Sequence, residues 1–366
     1  MLAAIGQLLA VALVTIRCGP FRGSSLRLAA CVAAADIPIW LLLVAVTAAL
    51  RSVDYGGEHR QAAVSLAHLA ISVAIPWFLW SCAVDLGAAR SVPWSGGLVL
   101  LLTVVGLTAP GVRSPWSHRA ADVDRIAVPV RNLPKALDGL RIVLVSDTHV
   151  GPYISLTQAR ARLAPLPSLD ADLIVFAGDL ASDRPVNLYP AAALLDEMAP
   201  KGTRFAILGN HDHYTDARLA AFELREHHFD VLINDHRRVR VRGTDLWVVG
   251  VDDPYTGWDD IKRALAGVPD DAFVILLSHT PDIVGEAPAA RANLILSGHT
   301  HGGQVVLPLV GPLTCNSRYG SRYAAGLFRI GPVSLFVTRG LGEVTVPLRV
   351  FCPPEIAVLT LKSAGD

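Results

Sequence analysis

The sequence is poor in cysteine and in charge. It contains five cysteines, at positions 18, 31, 82, 315 and 352, and no C-x-x-C pair. This scarcity argues against a disulfide framework and against a zinc site held by thiolates, and it leaves a single Cys315–Cys352 disulfide open. Charged residues make up 17% of the chain and the formal net charge is zero. The overall charge therefore gives no reason to expect nucleic-acid binding.

Two common nucleotide-binding signatures are also missing. The sequence shows neither a P-loop nor the glycine motif of a Rossmann fold, so these two ways of binding phosphate are not indicated. What the chain has in excess is apolar side chains. Hydrophobic residues reach 52% and the mean hydropathy is +0.43. Either the core is unusually large or part of the chain lies in a membrane.

The apolar excess is concentrated in residues 1–110, which we predict to form about four transmembrane helices. The runs 28–50 and 62–84 are each long enough to cross about 30 Å of hydrocarbon. Trp77 and Trp80 lie near the end of the second run, where an interfacial position suits them. The weaker runs are 1–16 and 92–109, and the first lacks the basic region of a signal peptide. The predicted location is the cell membrane, with several passes.

The side of the membrane that carries the rest of the chain is left open. The arginines that flank the four runs number four on one side and five on the other, which gives no positive-inside bias. Asp36 and His68 lie inside the two long runs. Since they would lie at different depths, we do not expect a direct pair, and we interpret Asp36 as snorkelling to the interface or bonded within the helix bundle.

Residues 111–138 are interpreted as a polar connector and residues 139–366 as a globular domain. In this domain, short apolar runs alternate with helical segments, and each run ends in a polar cluster. This alternation predicts an α/β sheet covered on both faces. Strands are predicted at Ile142–Val145 and Leu173–Phe176, among others, and helices near Leu156–Leu163, Tyr189–Met198 and Ala217–His227. The tail strands Phe328–Ile330, Val333–Thr338 and Ile356–Leu361 predict a second, more antiparallel sheet.

Polar side chains that can bind metal follow the predicted strands directly. They are Asp147, His149, Asp179, Asn210, His211, His279, His299 and His301. Because the carboxyl ends of parallel strands meet at one edge of a sheet, we expect these side chains to converge. Carboxylate, imidazole and amide ligands suit manganese, iron, zinc or nickel. Eight such groups are more than one ion needs, and they suit two ions that share a carboxylate.

Taken singly, several of these motifs have ordinary explanations. Gly-Asp is common in turns, the segment DTH is compatible with an Asx turn, and an isolated His279 would more often be a core histidine held by hydrogen bonds. The segment GHTH is a stronger signal, because in an extended chain His299 and His301 would point to the same side. The ordered set at strand ends carries the interpretation.

In that order, the motifs D-x-H, G-D, G-N-H-D, a single H and G-H-x-H resemble the signature of the calcineurin-like metallophosphoesterases. The branch of that family with N-terminal membrane segments is the more similar one. The likeness covers about Leu140–Leu361, and it includes the segments SDTHVG, LGNHDH, LSHTPD, LSGHTHGGQV, YGSRYAAGL and CPPEI. The resemblance implies a four-layer αββα sandwich of two mixed sheets, placed after the membrane helices.

The resemblance also implies a ligand set. One divalent ion would be held by Asp147, His149 and His301, and a second ion by Asn210, His279 and His299. Asp179 would bridge the two ions. Family members carry manganese, iron or zinc, and the resemblance does not select among them.

The segment LGNHDHY raises five further expectations. Gly209 is expected to turn the chain off its strand, and Asn210 to be a neutral ligand. His211 is expected to face the substrate, where it protonates the leaving oxygen or steadies the developing charge. Asp212 is expected to accept a hydrogen bond from His211 and to set its tautomer. His213 is interpreted as a histidine at the rim.

The predicted function is that of a membrane-anchored phosphohydrolase, a phosphodiesterase or a pyrophosphatase-like enzyme in which a metal-bridged hydroxide attacks phosphorus in line. The expected partners are a phosphate ester, soluble or lipid-linked, and the lipid bilayer. Neither nucleic acid nor an obligate protein partner is expected. Two alternatives stay open at this stage: a membrane transporter or receptor, and a metal-binding module without catalysis.

Overall fold

The computed structural model describes residues 119–364, apart from 201, 287, 288, 290, 309 and 346. The four apolar runs predicted to cross the membrane lie outside these described residues. Among the helices of the described part, none combines the length and the apolar character that a bilayer crossing needs.

Two six-stranded mixed sheets form the centre of the fold, with strands numbered in chain order. The first sheet runs in space as β1 (Asp122–Val130), β14 (Glu355–Ser363), β2 (Arg141–Val145), β3 (Leu173–Phe176), β4 (Thr203–Ala206) and β5 (Asp230–Val231). The second runs as β12 (Gly326–Ile330), β13 (Val333–Val337), β9 (Leu294–Ser297), β8 (Val274–Leu277), β7 (Thr244–Gly250) and β6 (Asp235–Val241). A small separate hairpin pairs β10 (Val306–Leu307) with β11 (Gly311–Pro312).

Helices connect the strands. They are α1 (Leu156–Leu163), α2 (Leu188–Met198), α3 (Asn210–Thr215), α4 (Ala217–Glu226) and α5 (Ile261–Ala264). Short 3-10 helices occur at Lys135–Leu137, Leu166–Ser168, Pro185–Asn187, Pro281–Gly285, His301–Gly303 and Gly320–Tyr323. The sequence-predicted helices at α1, α2 and α4 are confirmed, each within one residue at either end. Helix α1 begins with a capping box between Ser155 and Gln158, which satisfies backbone N–H groups that the first turn leaves free.

Successive side chains of the central strands point alternately into two different cores. In β2, Ile142 and Leu144 lie in the core between the two sheets, whereas Val143 and Val145 lie in the core under α1, α2 and α4. In β8, Ile275 and Leu277 join the core between the sheets. Because successive side chains of a strand point to opposite faces, an apolar run without alternation is buried on both faces. The described fold is thus a sandwich of helices, sheet, sheet and helices.

The tail of the chain corrects one sequence prediction. The tail strands do not form a sheet of their own: β12 and β13 extend the second sheet beside β9, whereas β14 enters the first sheet between β1 and β2. Strand β14 is parallel to β1 and antiparallel to β2. Sequence pattern identifies a strand but not its partner, because pairing is decided by contacts between distant segments.

The structure shifts the predicted start of the folded domain and answers one question that the sequence left open. Strand β1 lies inside the segment 111–138 predicted as a connector, and all nine of its residues pair with β14. The folded domain therefore begins before the predicted boundary. The Cys315–Cys352 disulfide, left open by the sequence, is not formed, since both are free thiols.

Candidate metal centre

The predicted site residues lie beyond the carboxyl ends of strands from both sheets, in loops or in the first turn of a short helix. Strands β2, β3 and β4 are parallel neighbours in the first sheet, and β7, β8 and β9 are parallel neighbours in the second. The site residues that directly follow these strands are Asp147, His149, Asp179, Asn210, His211, His279, His299 and His301. The site thus forms where the ends of two sheets meet, and not at the rim of one.

The first cluster contains Asp147, His149 and His301. Their candidate ligand atoms lie within 4.8 Å of one another. The two Nε2 atoms of His149 and His301 are 3.1 Å apart. Oδ1 of Asp147 lies 3.7 Å from the first and 3.5 Å from the second. All three side chains are buried, so these nitrogens and oxygens face one small shared space.

The second cluster contains Asp179, His279 and His299, with ligand atoms again within 4.8 Å of one another. Nε2 of His279 lies 3.2 Å from Oδ2 of Asp179. Asp179 also lies 3.4 Å from Nε2 of His149. The carboxylate of Asp179 therefore stands between the two clusters, where the predicted bridging ligand should stand.

Unsatisfied polar atoms test whether this site suits a metal. Among the described residues, Asn210 Oδ1, His279 Nε2 and His299 Nε2 are buried and have no hydrogen-bond partner. A buried polar atom without a partner costs about 1–3 kcal/mol, so three together need an explanation. A divalent ion satisfies all three, because it binds imidazole nitrogen and amide oxygen. The donor set therefore fits the implied ion.

The backbone at the site is unusual. Five of the predicted ligands have positive φ angles without being glycine: Asp147 at 56°, His149 at 48°, Asp179 at 60°, His299 at 68° and His301 at 52°. A non-glycine residue in this left-handed region is uncommon and gathers at functional sites. The extended conformation that we expected for the GHTH segment is wrong. Its two histidines reach separate clusters through left-handed turns.

Glycine is needed at positions 209 and 298 because neighbouring side chains pack closely against the backbone there. Gly209 is extended, with φ of −116° and ψ of 178°, so the sharp turn that we expected from it is wrong. A Cβ atom at Gly209 would lie 2.3 Å from Oδ1 of Asp179 and 2.7 Å from the ring of His279. A Cβ at Gly298 would lie 2.5 Å from Oδ2 of Asp147. Any larger residue would occupy the space of the ligands.

Asp212 does not have the role that the sequence suggested. Its Oδ1 accepts a hydrogen bond from the backbone N–H of Leu180, and its Oδ2 accepts bonds from those of Asp179 and Gly209. The expected bond from His211 is therefore wrong. Burial and the nearby Asp179 raise the pKa of Asp212 to about 6. The side chain fastens the β3 and β4 loops together.

His211 is held by a residue that the sequence analysis missed. Nδ1 of His211 lies 3.5 Å from the hydroxyl of Ser182, which is also 2.9 Å from Nδ1 of His149. Ser182 thus stands between a predicted ligand and the predicted substrate-facing histidine. Burial lowers the pKa of His211 to about 4 against the opposing charge of Asp179. His211 also lies within 4.8 Å of His149 and Asp179 through candidate ligand atoms, so the geometry permits it as a ligand too.

A buried arginine that the sequence analysis also missed contacts His301 of the first cluster. Arg349 is 1% exposed, and its Nη2 lies 3.4 Å from Nδ1 of His301. The same guanidinium donates hydrogen bonds to the backbone carbonyls of Arg339, Gly342 and Cys352. No local sequence motif identifies Arg349 as a site residue, because it lies 48 positions from His301 in the chain.

The pKa values of the buried carboxylates and imidazoles are shifted because these groups pack against one another. Burial alone would raise the pKa of Asp179, but the imidazoles of His279 and His149 hold it well below its ordinary value. Burial lowers the pKa of His301 well below its ordinary value. A neutral imidazole is the form that binds a metal. The carboxylate at the centre thus stays ionised.

The sequence was compared with known protein families and proteins. The model of the calcineurin-like phosphoesterase family matches residues 140–303. A transmembrane protein with metallophosphoesterase domain from Danio rerio is 33% identical over 281 residues, which are 73% of this chain and 62% of that protein. This chain therefore spans less than two thirds of the length of that relative.

Two bacterial relatives match over more of their own length. The uncharacterized metallophosphoesterase YkuE of Bacillus subtilis is 34% identical over 238 residues, 64% of this chain and 82% of that protein. Phosphodiesterase YaeI of Escherichia coli is 29% identical over 226 residues, 61% of this chain and 82% of that protein. With its ordered strand-end motifs and two metal-suited clusters, the chain belongs to the calcineurin-like phosphoesterase family.

Proposed function

We propose that the protein is a membrane-anchored phosphodiesterase that uses two divalent metal ions. One observation carries the proposal: Asp179 stands between two groups of buried ligand atoms, and His279 Nε2 and His299 Nε2 of the second group, like Asn210 Oδ1, have no hydrogen-bond partner in the described residues. A single ion would leave one of the two groups unsatisfied. Two ions close together, with a shared carboxylate, satisfy both.

In this proposal the first ion is held by Asp147, His149 and His301. The second is held by Asn210, His279 and His299, and Asp179 contacts both. When bound, such ions neutralise phosphoryl charge and make water acidic enough to react near neutral pH. The chain's own contribution is to hold these ligands in a fixed, buried arrangement, which lowers the cost of reorganisation during the reaction.

His211 is proposed to act on the substrate and not on the metals. Its Nδ1 faces Ser182, which leaves Nε2 to face a bound phosphate ester. From there the imidazole can donate a hydrogen bond to a phosphoryl or leaving oxygen as charge develops on it. Ser182 restrains the ring through Nδ1, which favours one orientation. Such a positioned donor contributes typically 10²–10⁴-fold to rate.

The choice of a diester and of a membrane location rests on the relatives and on the apolar runs of the sequence. One relative is named a phosphodiesterase, and others are named transmembrane proteins with a metallophosphoesterase domain. The long apolar runs 28–50 and 62–84 fit a membrane anchor. An anchored site suits a lipid-linked ester and a soluble ester alike, and the proposal includes both.

Hydrolysis of bis-p-nitrophenyl phosphate tests the proposal. The full chain in detergent should hydrolyse it with Mn²⁺, lose activity after chelation, and bind close to two ions per chain. Asp179→Asn should abolish both turnover and full metal binding. Asp270→Asn is the matched control, since the side chain of Asp270 is 99% exposed. Undiminished hydrolysis after exhaustive chelation, or in Asp179→Asn, overturns the proposal.

A further inference from the structure

Three aromatic side chains stand exposed beside the metal centre. Tyr214 is 62% exposed, Tyr255 is 50% exposed and Trp258 is 64% exposed. Large aromatic side chains are usually buried for much of their surface, because removing the ring from water stabilises the fold. A group of them held open at the mouth of a site is therefore a candidate for binding a ligand.

Two of these rings contact the site itself. The ring of Tyr214 lies 5.5 Å from that of His211, at an interplanar angle of 65°. The ring of Tyr255 lies 4.8 Å from that of His299, at an angle of 47°. The tyrosines thus extend outward from the predicted substrate-facing histidine and from a predicted ligand of the second ion. A substrate bound between these histidines would meet both rings.

Both tyrosines contact histidines of the same centre, Tyr214 through His211 and Tyr255 through His299. We call these two rings the wall of the mouth. This wall joins a residue of α3 to a residue of the loop that follows β7.

The loop that carries Tyr255 is held firmly by hydrogen bonds. Oδ1 of Asn234 accepts bonds from the backbone N–H groups of Asp252 and Asp260, and its Nδ2 donates to the carbonyl of Trp258. Oδ2 of Asp253 accepts a bond from Thr256 N–H at 2.8 Å. The exposed ring of Tyr255 therefore stands on an ordered loop and is preorganised for a ligand.

His213 fixes the same loop to α3. Its Nε2 lies 2.7 Å from Oδ1 of Asp252, and its ring is nearly parallel to that of Trp258, with centroids 6.2 Å apart. The histidine that we interpreted as a rim residue thus ties the element that carries Tyr214 to the loop that carries Tyr255. The spacing of the two rings is fixed from both sides.

We propose that Tyr214 and Tyr255 are specificity-determining residues that bind a planar ring of the substrate, such as a nucleobase or an aryl group. The inference rests on the proposed function. Flat rings stack on tyrosine faces at any in-plane orientation, and this suits a wall of exposed rings. An acyl chain would require a closed apolar channel, whereas this wall is open and stands beside histidines and carboxylates.

Binding of two matched phosphomonoesters tests this assignment without turnover. Thymidine 5′-monophosphate and 2-deoxyribose 5-phosphate share sugar and phosphate and differ in the base. Equilibrium dialysis against the full chain with Mn²⁺ should give a Kd lower by about 5- to 100-fold for the nucleotide, the range that base–aromatic stacking supplies. Equal Kd values for the two compounds overturn the proposal, even if hydrolysis of bis-p-nitrophenyl phosphate confirms the proposed function.

Variants identify the residues. Tyr214→Leu and Tyr255→Leu should remove most of the preference for the nucleotide, and Tyr214→Phe and Tyr255→Phe should keep it because they retain the ring. Tyr189→Leu replaces an exposed tyrosine on α2 and should keep the preference. Saturation-transfer NMR should place the strongest contact on the base protons. Retained preference in both leucine variants, or hexyl phosphate binding as tightly as the nucleotide, overturns the assignment.

Loss of all binding has a separate meaning. If neither phosphomonoester binds to the metal-loaded chain, the phosphate site itself is absent, and the proposed function fails together with this inference. If deoxyribose phosphate binds and the nucleotide gains nothing, the inference alone fails. The two results are distinguishable in the same dialysis experiment.

Discussion

His211 is the residue at which catalysis and metal binding can be separated by mutation. It neighbours the predicted ligand Asn210, and geometry also permits it as a ligand beside His149 and Asp179. If it faces the substrate, His211→Ala should keep both metals and lower kcat by about 10²–10⁴-fold. Metal content by elemental analysis and kcat on a soluble diester check this.

Asp179→Ala is the comparison for that variant, because one carboxylate serves both clusters and its loss should empty the site. If His211→Ala released the metals while Asp179→Ala retained them, the assigned roles would be reversed.

Ser182 is expected to orient the imidazole of His149. Its hydroxyl is 2.9 Å from Nδ1 of His149, and partners of this kind orient a ligand imidazole. Ser182→Ala should therefore lower Mn²⁺ affinity or kcat by about 10- to 100-fold. Titration of metal into the chelated protein measures the affinity. Ser168→Ala, which removes an exposed hydroxyl bonded to Pro165, should leave both quantities unchanged, and equal effects of the two variants would contradict the assignment.

The left-handed backbone of the predicted ligands lowers the stability of the folded state. Each left-handed non-glycine ligand costs roughly 1–3 kcal/mol, and such residues persist only where the surrounding structure fixes them. Backbone hydrogen bonds do this here: Asp147 N–H donates to the carbonyl of Gly178, and His149 N–H donates to that of Asp179. The loops after β2 and β3 thus hold each other in the conformation that aims the ligands.

Helix α1 is attached to the site by a buried ion pair. Arg162 lies on α1 and bonds to Glu343 at 2.8 Å, with both side chains buried. It also donates to the carbonyl of Leu341, whose N–H bonds to the carbonyl of Ser146. One arginine therefore connects the helix layer to the segment packed beside the strand β2 loop.

Removing that arginine should be costly. Arg162→Ala leaves Glu343 buried without its cation, and such a change typically costs about 3–5 kcal/mol of unfolding free energy. Arg160→Ala, on the same helix, removes an exposed pair with Glu197 and should cost much less, because water screens that pair. Chemical denaturation monitored by circular dichroism measures both. Similar losses of stability in the two variants would contradict the buried pair's role.

At the scale of the whole molecule, strand β1 decides where an independent domain can begin. All nine of its residues pair with β14, and Val128 and Val130 are fully buried. Burial of each of these side chains stabilises the fold by about 1.5–3 kcal/mol. Without β1, strand β14 would also become an unpaired edge, which promotes aggregation.

Two fragments test this boundary. A fragment that begins at Arg119 should be water-soluble, fold cooperatively and hydrolyse a small soluble diester. A fragment that begins at Asn132 should lose several kcal/mol of stability or aggregate, since it lacks β1. Thermal unfolding and size-exclusion chromatography compare them. Equal stability of the two fragments would mean that β1 contributes little. Loss of turnover in the longer fragment, with fold and metals intact, would assign part of the active site to residues 1–118.

Local pattern in the sequence was enough to identify the strands and to predict the metal-binding side chains at their ends. Four-residue apolar runs such as Leu173–Phe176 are buried on both faces, and polar residues that directly follow such runs must gather where parallel strands end. The set from Asp147 to His301 is therefore readable without coordinates. Each signal spans a few neighbouring residues.

What the tertiary structure decided depends on contacts between distant segments. The place of β14 between β1 and β2, and the contact of Arg349 with His301, join residues far apart in sequence. Asp212 illustrates the difference: its carboxylate beside His211 suggested a bond from that neighbour, yet two of its three donors are the N–H groups of Asp179 and Leu180, 33 and 32 positions away. Packing fixes such partners because a buried carboxylate bonds to the donors that the fold brings to it, and no local pattern encodes which donors those are.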